Sequence, residues 1–129
     1  MIVVDASAMV EALVGRDVEA RLLDVLTGEV HAPHLLDVEV LSVVRGLVLA
    51  GKLTPTGAEA ARIDHFSFGI IRHGIEPLAE RVWELRHQFT AYDAVYLALA
   101  EALDAPLHTC DAKLAAGHAA TVIVHPGTR

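Results

Sequence analysis

Short apolar runs of strand length, separated by longer stretches with helical spacing, restrict the folds open to this chain more than any other feature. Ile2-Val3-Val4 ends at Asp5, and Ser7 precedes a helical stretch from Ala8 to Val14. A second helix is expected from Asp17 to Leu26, with Val18, Leu22, Val25 and Leu26 on one side, and Val30-His31-Ala32 before Pro33 reads as a brief strand. A long helix from Leu35 to Ala50 closes at Gly51, and Thr54-Pro55 opens another reaching Phe68, its proline in the first turn where a missing N–H is harmless. Ile70 to Ile75 fits a strand, Pro77 to Gln88 a helix, and Thr90 to Leu103 a strongly helical segment. Pro106 to Cys110 reads as a strand leading into Asp111, followed by a short helix to Ala116 and a last strand from Thr121 to Val124. Strands alternating with crossover helices run in the same direction, so the expected fold is α/β, with a central, mostly parallel sheet covered on both faces.

A chain of 129 residues, 53% of them apolar, suffices for one core, so residues 1–129 read as a single domain. No repeat, linker or low-complexity segment interrupts it. The segment Met1 to Asp5 lacks a basic leader, and Glu39, Arg45, Asp93 and Glu101 break the longest apolar stretches, which argues against a signal peptide or a membrane span. The lone Cys110 can form no internal disulfide and reads as a small buried residue on its strand; a cytoplasmic location is the expectation. In the helix Leu35 to Ala50 the residues are apolar almost all round, which points to burial against both the core and a second subunit, and so to a homodimer.

The net charge of −7 excludes binding to nucleic acid through a broad basic surface. An enzyme acting on RNA with this balance needs a divalent cation, a local groove built from arginines such as Arg16, Arg21, Arg45, Arg72, Arg81 and Arg86, or both. Taken singly, each arginine fits a solvated helix face equally well.

Asp17, Glu19, Glu76, Glu80 and Glu84 sit among polar neighbours and need no special account, but four other acids do. Asp5 and Asp111 directly follow short apolar strands, and ligands in open α/β sheets bind beyond the carboxyl ends of the strands. Glu39 lies mid-helix among Leu35, Leu36 and Val43 with no Lys or Arg three or four residues away. Asp93 stands in the aromatic and aliphatic run Phe89 to Leu97. Helix capping offers a competing explanation: Asp5 or Ser7 for the first helix, Asp111 for the helix from Ala112, and a Thr90–Asp93 capping box. One shared reason covers all four acids more simply. A hard cation such as Mg²⁺ or Mn²⁺ takes oxygen ligands and stabilises crowded carboxylates in their ionised form.

The order of these segments resembles the PIN-domain ribonucleases, most closely the VapC toxins of toxin–antitoxin modules. The similarity rests on Asp5-Ala6-Ser7 after the first strand, Glu39 in Leu36-Asp37-Val38-Glu39-Val40-Leu41, the segment Thr90-Ala91-Tyr92-Asp93-Ala94-Val95-Tyr96-Leu97-Ala98-Leu99-Ala100, and Leu107-His108-Thr109-Cys110-Asp111. It implies a three-layer α/β/α domain. It also implies that Asp5 and Asp93 are the principal metal ligands, that Glu39 and Asp111 complete the acidic pocket, and that Ser7 and Thr109 supply supporting hydroxyls. The implied activity is cleavage of RNA phosphodiesters, often in tRNA or rRNA, by metal-activated water. The implied partner is a VapB-type antitoxin whose C-terminal segment enters near the pocket.

Other chemistries fit less well. A dehalogenase-type phosphatase needs an acid where Ser7 stands, and a receiver domain needs a late-strand lysine, whereas the chain has only Lys52 and Lys113. Gly15, Gly46, Gly51 and Gly57 form no phosphate loop. His31 and His34 lack two further ligands for zinc, and Ser7 lacks the Gly-x-Ser-x-Gly elbow of a serine hydrolase. A partner-binding module without catalysis is the remaining alternative, and the intact acid set speaks against it.

Overall fold

The computed structural model describes residues 1–129. The chain runs β1 (Ile2–Val4), α1 (Ala6–Val14), α2 (Ala20–Val25), β2 (Val30–Pro33), α3 (Leu35–Leu49), α4 (Pro55–Ser67), β3 (Ile70–His73), α5 (Ala79–Glu84), α6 (Ala91–Leu103), β4 (Leu107–Thr109) and β5 (Val122–Val124), with 3-10 turns at Glu76–Leu78 and Ala112–Ala115. The five strands form one sheet in the order β3-β2-β1-β4-β5. Every neighbouring pair is parallel, and Val3 lies opposite both His31 and Leu107.

This order positions the site. From β1 the chain steps outward to β2 and β3, then returns across the sheet to β4 on the other side of β1. Right-handed crossovers in opposite directions place α1, α3 and α4 on one face, where they pack together, and α5 and α6 on the other. The point of reversal lies between the carboxyl ends of β1 and β4, where a crevice opens. Val3, Val4 and Leu107 at the centre are fully buried, and α6 is enclosed on every side from Ala94 to Ala100. The alternation of strand and helix thus gives the expected α/β layers, with the sheet wholly parallel.

Several boundaries shift for identifiable reasons. The Asp5 carboxylate caps the Ala8 amide at 3.0 Å, so α1 begins at Ala6. The Asp17 amide bonds to Thr128 Oγ1 at 3.0 Å, which keeps the chain out of a helix until Ala20. Pro77 opens a 3-10 turn, and α5 ends at Glu84, short of Gln88. After β3 the chain leaves the sheet at His73, whose carbonyl accepts from the His34 amide. The segment after Asp111 is a single 3-10 turn closed by Gly117 at φ +93°, and the last strand begins at Val122. Cys110 lies just past β4 and is half-buried, and its burial pushes the thiol up to about 11. No helix is long and apolar enough to cross a membrane.

Two buried polar groups hold the periphery. Glu11 on α1 accepts from the Thr128 amide at 2.8 Å and the Thr128 hydroxyl at 2.6 Å, which pins the C-terminal segment to the first helix. His108 on β4 stacks on His125, with 2.7 Å between Nδ1 and Nε2. Burial, reinforced by His125 and Arg21, lowers the His108 pKa to about 4. The folded value lies below the unfolded one of 6.5, so the stabilisation is complete above pH 6.5 and is lost as pH falls toward 4. The expected loss is about 3 kcal/mol at the acid end. Urea unfolding should show this decline, and the His108 imidazole proton should titrate below pH 5 by NMR; titration near pH 6.5 would refute the assignment.

Candidate active site

Asp5, Glu39, Asp93 and Asp111, together with Ala6, Ser7 and Tyr96, line one cleft of about 140 Å³ at the reversal point of the sheet. Four separate elements deliver the acids: the end of β1, the second turn of α3, the first turn of α6 and the turn after β4.

Asp5 is the most constrained. It is 6% exposed, and its Oδ1 accepts from Ser7 Oγ at 2.7 Å and from the Ala8 amide at 3.0 Å, while Oδ2 accepts from Thr109 Oγ1. Burial raises its pKa despite these three donors, and Asp111 adds to the rise. The two hydroxyls also tie the β1 and β4 ends together. Ser7 Oγ and Thr109 Oγ1 lie 3.1 Å apart, Ser7 Oγ accepts from the Cys110 amide at 2.8 Å, and Thr109 Oγ1 accepts from the Asp111 amide at 2.9 Å. Thr109 is fully buried behind Asp5, whereas Ser7 reaches the cleft.

Glu39 is not unpartnered, as its helix neighbours suggest. Tyr96 of α6, 57 residues away, donates its hydroxyl to Glu39 Oε1 at 2.6 Å. Burial raises the Glu39 pKa; the Tyr96 bond opposes the rise, and the charges of Asp5 and Asp93 reinforce it. Tyr96 escapes sequence reasoning because it sits in an apolar run that reads as core. The available signal was that a buried tyrosine hydroxyl needs a partner.

Asp93 is the third residue of α6, where the Thr90 hydroxyl accepts from the Asp93 amide at 3.3 Å. The return bond of a capping box is not made, and the carboxylate faces the cleft. Asp111 caps the 3-10 turn through the Lys113 amide at 3.0 Å and lies 3.5 Å from Lys113 Nζ. Capping and membership of the cleft therefore coexist at Asp5 and Asp111. The two explanations do not compete, because a cap uses one face of the carboxylate.

The cleft offers only oxygen donors, the type Mg²⁺ and Mn²⁺ prefer. No group of three or more acids, histidines or cysteines forms a ready-made cage for an ion.

The arginines divide. Arg72 makes a bidentate pair with Asp37 at 2.7 and 3.0 Å, and Arg81 pairs likewise with Glu101 at 2.7 and 3.1 Å. Arg86 lies over the Trp83 ring at 4.8 Å. Arg16, Arg21 and Arg45 are exposed. An RNA groove that uses Arg72 or Arg81 would have to break an internal ion pair.

The chain matches the PIN domain family over residues 2–117. Among curated proteins it is 47% identical to Ribonuclease VapC1 of Mycobacterium tuberculosis over 118 residues, 88% of each chain. It is 41% identical to VapC9 of the same organism over 114 residues, again 88% of each, and 38% identical to VapC12 over 119 residues, 92% of each. Two solved structures share the fold at low identity. PAE2754 of Pyrobaculum aerophilum superposes with a TM-score of 0.71 at 22% identity, covering 93% of this chain and 86% of that one. Mycobacterium tuberculosis VapC20, a toxin that cleaves the sarcin–ricin loop, gives 0.64 at 19%, covering 92% and 97%. Identity of 47% across nearly the whole chain leaves no room for a different family assignment: this protein belongs to the PIN-domain family, among the VapC ribonucleases.

Proposed function

We propose that the chain is a metal-dependent endoribonuclease and the toxin of a VapBC-type module, with residues 1–129 acting as one PIN domain. The observation that carries this reading is the convergence of Asp5, Glu39, Asp93 and Asp111 on one cleft at the switch point of a parallel sheet. Asp5 and Asp93 are the principal metal ligands in this reading, and Glu39 and Asp111 complete the set. When bound, Mg²⁺ or Mn²⁺ supplies an activated water and offsets the charge of an RNA phosphate.

The chain's own residues orient and shield. Ser7, Thr109 and the Ala8 amide hold Asp5 in one orientation; Oδ1 accepts two of these bonds, and Oδ2, which accepts one, keeps a lone pair for the cleft. Tyr96 holds Glu39 at a fixed rotamer. Asp93, free of the return bond to Thr90, stays available at the mouth. The acids together repel an RNA backbone until a cation neutralises them, which couples substrate entry to metal loading.

A purified chain freed of any partner is expected to cleave RNA with Mg²⁺ or Mn²⁺ and to stop on chelation. Failure with both ions would turn the reading toward a binding module. The partners in this reading are an RNA such as tRNA or rRNA, and a VapB-type antitoxin whose basic side chain competes for the carboxylates. The site of action is the cytoplasm. A homodimer is supported by the outer side of α3, where Val38 is 65% and Leu49 69% exposed while only Leu36, Val40 and Val44 are buried in the chain's own core.

Tyr96→Phe keeps the ring packing and removes the donor to Glu39. It is expected to weaken Mn²⁺ binding and RNA cleavage by about tenfold with little change in melting temperature. Titration of Mn²⁺ by EPR checks this, and unchanged affinity would reduce Tyr96 to a packing residue.

A further inference from the structure

Beside the acidic cleft lies a larger concavity of about 590 Å³, lined chiefly by Pro33, His34, His73, Ile75, Tyr92 and Val95. Its volume falls in the range of small-molecule sites. It shares two helices with the cleft. On α6, Tyr92 and Val95 line the concavity while Asp93 and Tyr96 line the cleft; on α3, Leu35 lines the first and Glu39, one turn later, the second. Adjacent residues of a helix differ by about 1.5 Å in height and about 100° in direction, so one turn of α6 feeds both sites.

The lining suits a flat, uncharged ring. Tyr92 is 63% exposed, which leaves a face of its ring open at the concavity, and the imidazoles of His34 and His73 provide polar edges. The hydrogen bond between His31 Nδ1 and His73 Nε2, at 2.8 Å, sets the orientation of the His73 ring. A chain of net charge −7 whose Arg72 and Arg81 are already paired has fewer cations free for phosphate contacts, so contacts to bases would add to its RNA affinity.

We infer that this concavity receives an unpaired nucleobase next to the scissile phosphate, stacked on Tyr92 with its edge toward His34 and His73, an assignment that rests on the ribonuclease reading. Base stacking on an aromatic ring is tolerant of sequence, and edge contacts add preference, which is how single-stranded loops are commonly read.

The test uses an RNA hairpin whose single-stranded loop the wild type cleaves, and the same hairpin with an abasic nucleotide next to the cleavage point. Tyr92→Ala should raise KM on the intact hairpin by about tenfold, and Tyr92→Phe should restore it. The abasic hairpin should penalise the wild type similarly but add little to the Tyr92→Ala defect, since both changes remove the same contact. Mn²⁺ affinity should be unchanged in both variants. An unaltered KM in Tyr92→Ala, or losses that add fully, would overturn the subsite while leaving the ribonuclease reading intact. A change in solution mass on Tyr92→Ala would assign the concavity to a second copy of the chain and overturn it too. Absence of cleavage by the wild type would sink the ribonuclease reading, and the subsite with it.

Discussion

Asp5→Asn is expected to reduce RNA cleavage by roughly 10³-fold or more, the scale on which a single preorganised electrostatic group acts, while leaving the metal-free protein as stable as the wild type or more so. The second half of this expectation follows from the surroundings of Asp5. Asparagine keeps an oxygen for the Ala8 amide and for Ser7, and the Thr109 hydroxyl can turn to accept where it previously donated. Burial raises the Asp5 carboxyl above 3.8, so its folded value exceeds its unfolded one. Protonation of the native state therefore favours folding; this contribution is complete below 3.8 and is lost as pH rises through the folded value. At neutral pH the wild type has lost it, whereas the neutral amide never bears the buried charge.

Metal reverses the ranking. At ten times its dissociation constant, Mg²⁺ or Mn²⁺ should stabilise the wild type by about 1.4 kcal/mol and leave Asp5→Asn nearly unmoved. Thermal melts with and without metal, paired with cleavage assays, read both halves. A variant that unfolds without metal would make Asp5 a structural cap first, and one that still cleaves would remove it from the site.

The second large effect concerns stability alone. Asp37→Ala leaves the Arg72 guanidinium and the fully buried His65 without their shared partner, which Asp37 now serves at 2.7 to 3.0 Å. Losing one member of such a group costs about 3 kcal/mol, or roughly 10 °C in melting temperature for a chain of this size. Burial pushes the Asp37 carboxyl up, but the hydrogen bonds from Arg72 and His65 outweigh it and hold the group below 3.8. The contribution is thus present above 3.8 and fades as pH falls through the folded value. Urea unfolding should show the full deficit at pH 7 and a smaller one in acid. RNA cleavage below the melting temperature should persist, because Asp37 does not line the cleft. A deficit under about 1 kcal/mol would mean that the group is solvent-screened like a surface pair.

Asp37 and Glu39 show where local reading stops. Both stand in one apolar helical segment two residues apart, and helical geometry sends them in different directions. Which direction leads to an ion pair and which to a cleft depends on β3, α4 and α6, segments 28 to 57 residues further along the chain. Glu11 is a parallel case: it reads as an ordinary helix acid, yet it is 4% exposed because Thr128 closes over it. The arginines followed the same pattern, since nothing beside Arg72 or Arg81 in the sequence announces Asp37 or Glu101 as a partner.

What the sequence by itself determined is the alternation of apolar strand and helix, hence the parallel layered fold, and the placement of acids after β1 and β4 and on two apolar helices. These are local properties: periodicity selects the element, and an acid after a strand lies at its carboxyl end whatever surrounds it. Only the tertiary structure decided that the strand order reverses between β1 and β4 and so brings Asp5, Glu39, Asp93 and Asp111 to one cleft. It alone gave Glu39 its Tyr96, engaged Arg72 and Arg81 in ion pairs with Asp37 and Glu101, and opened the concavity beside Tyr92. The physical reason is common to all of these: hydrogen bonds and desolvation act over a few ångströms, and folding sets those distances between residues far apart in the chain.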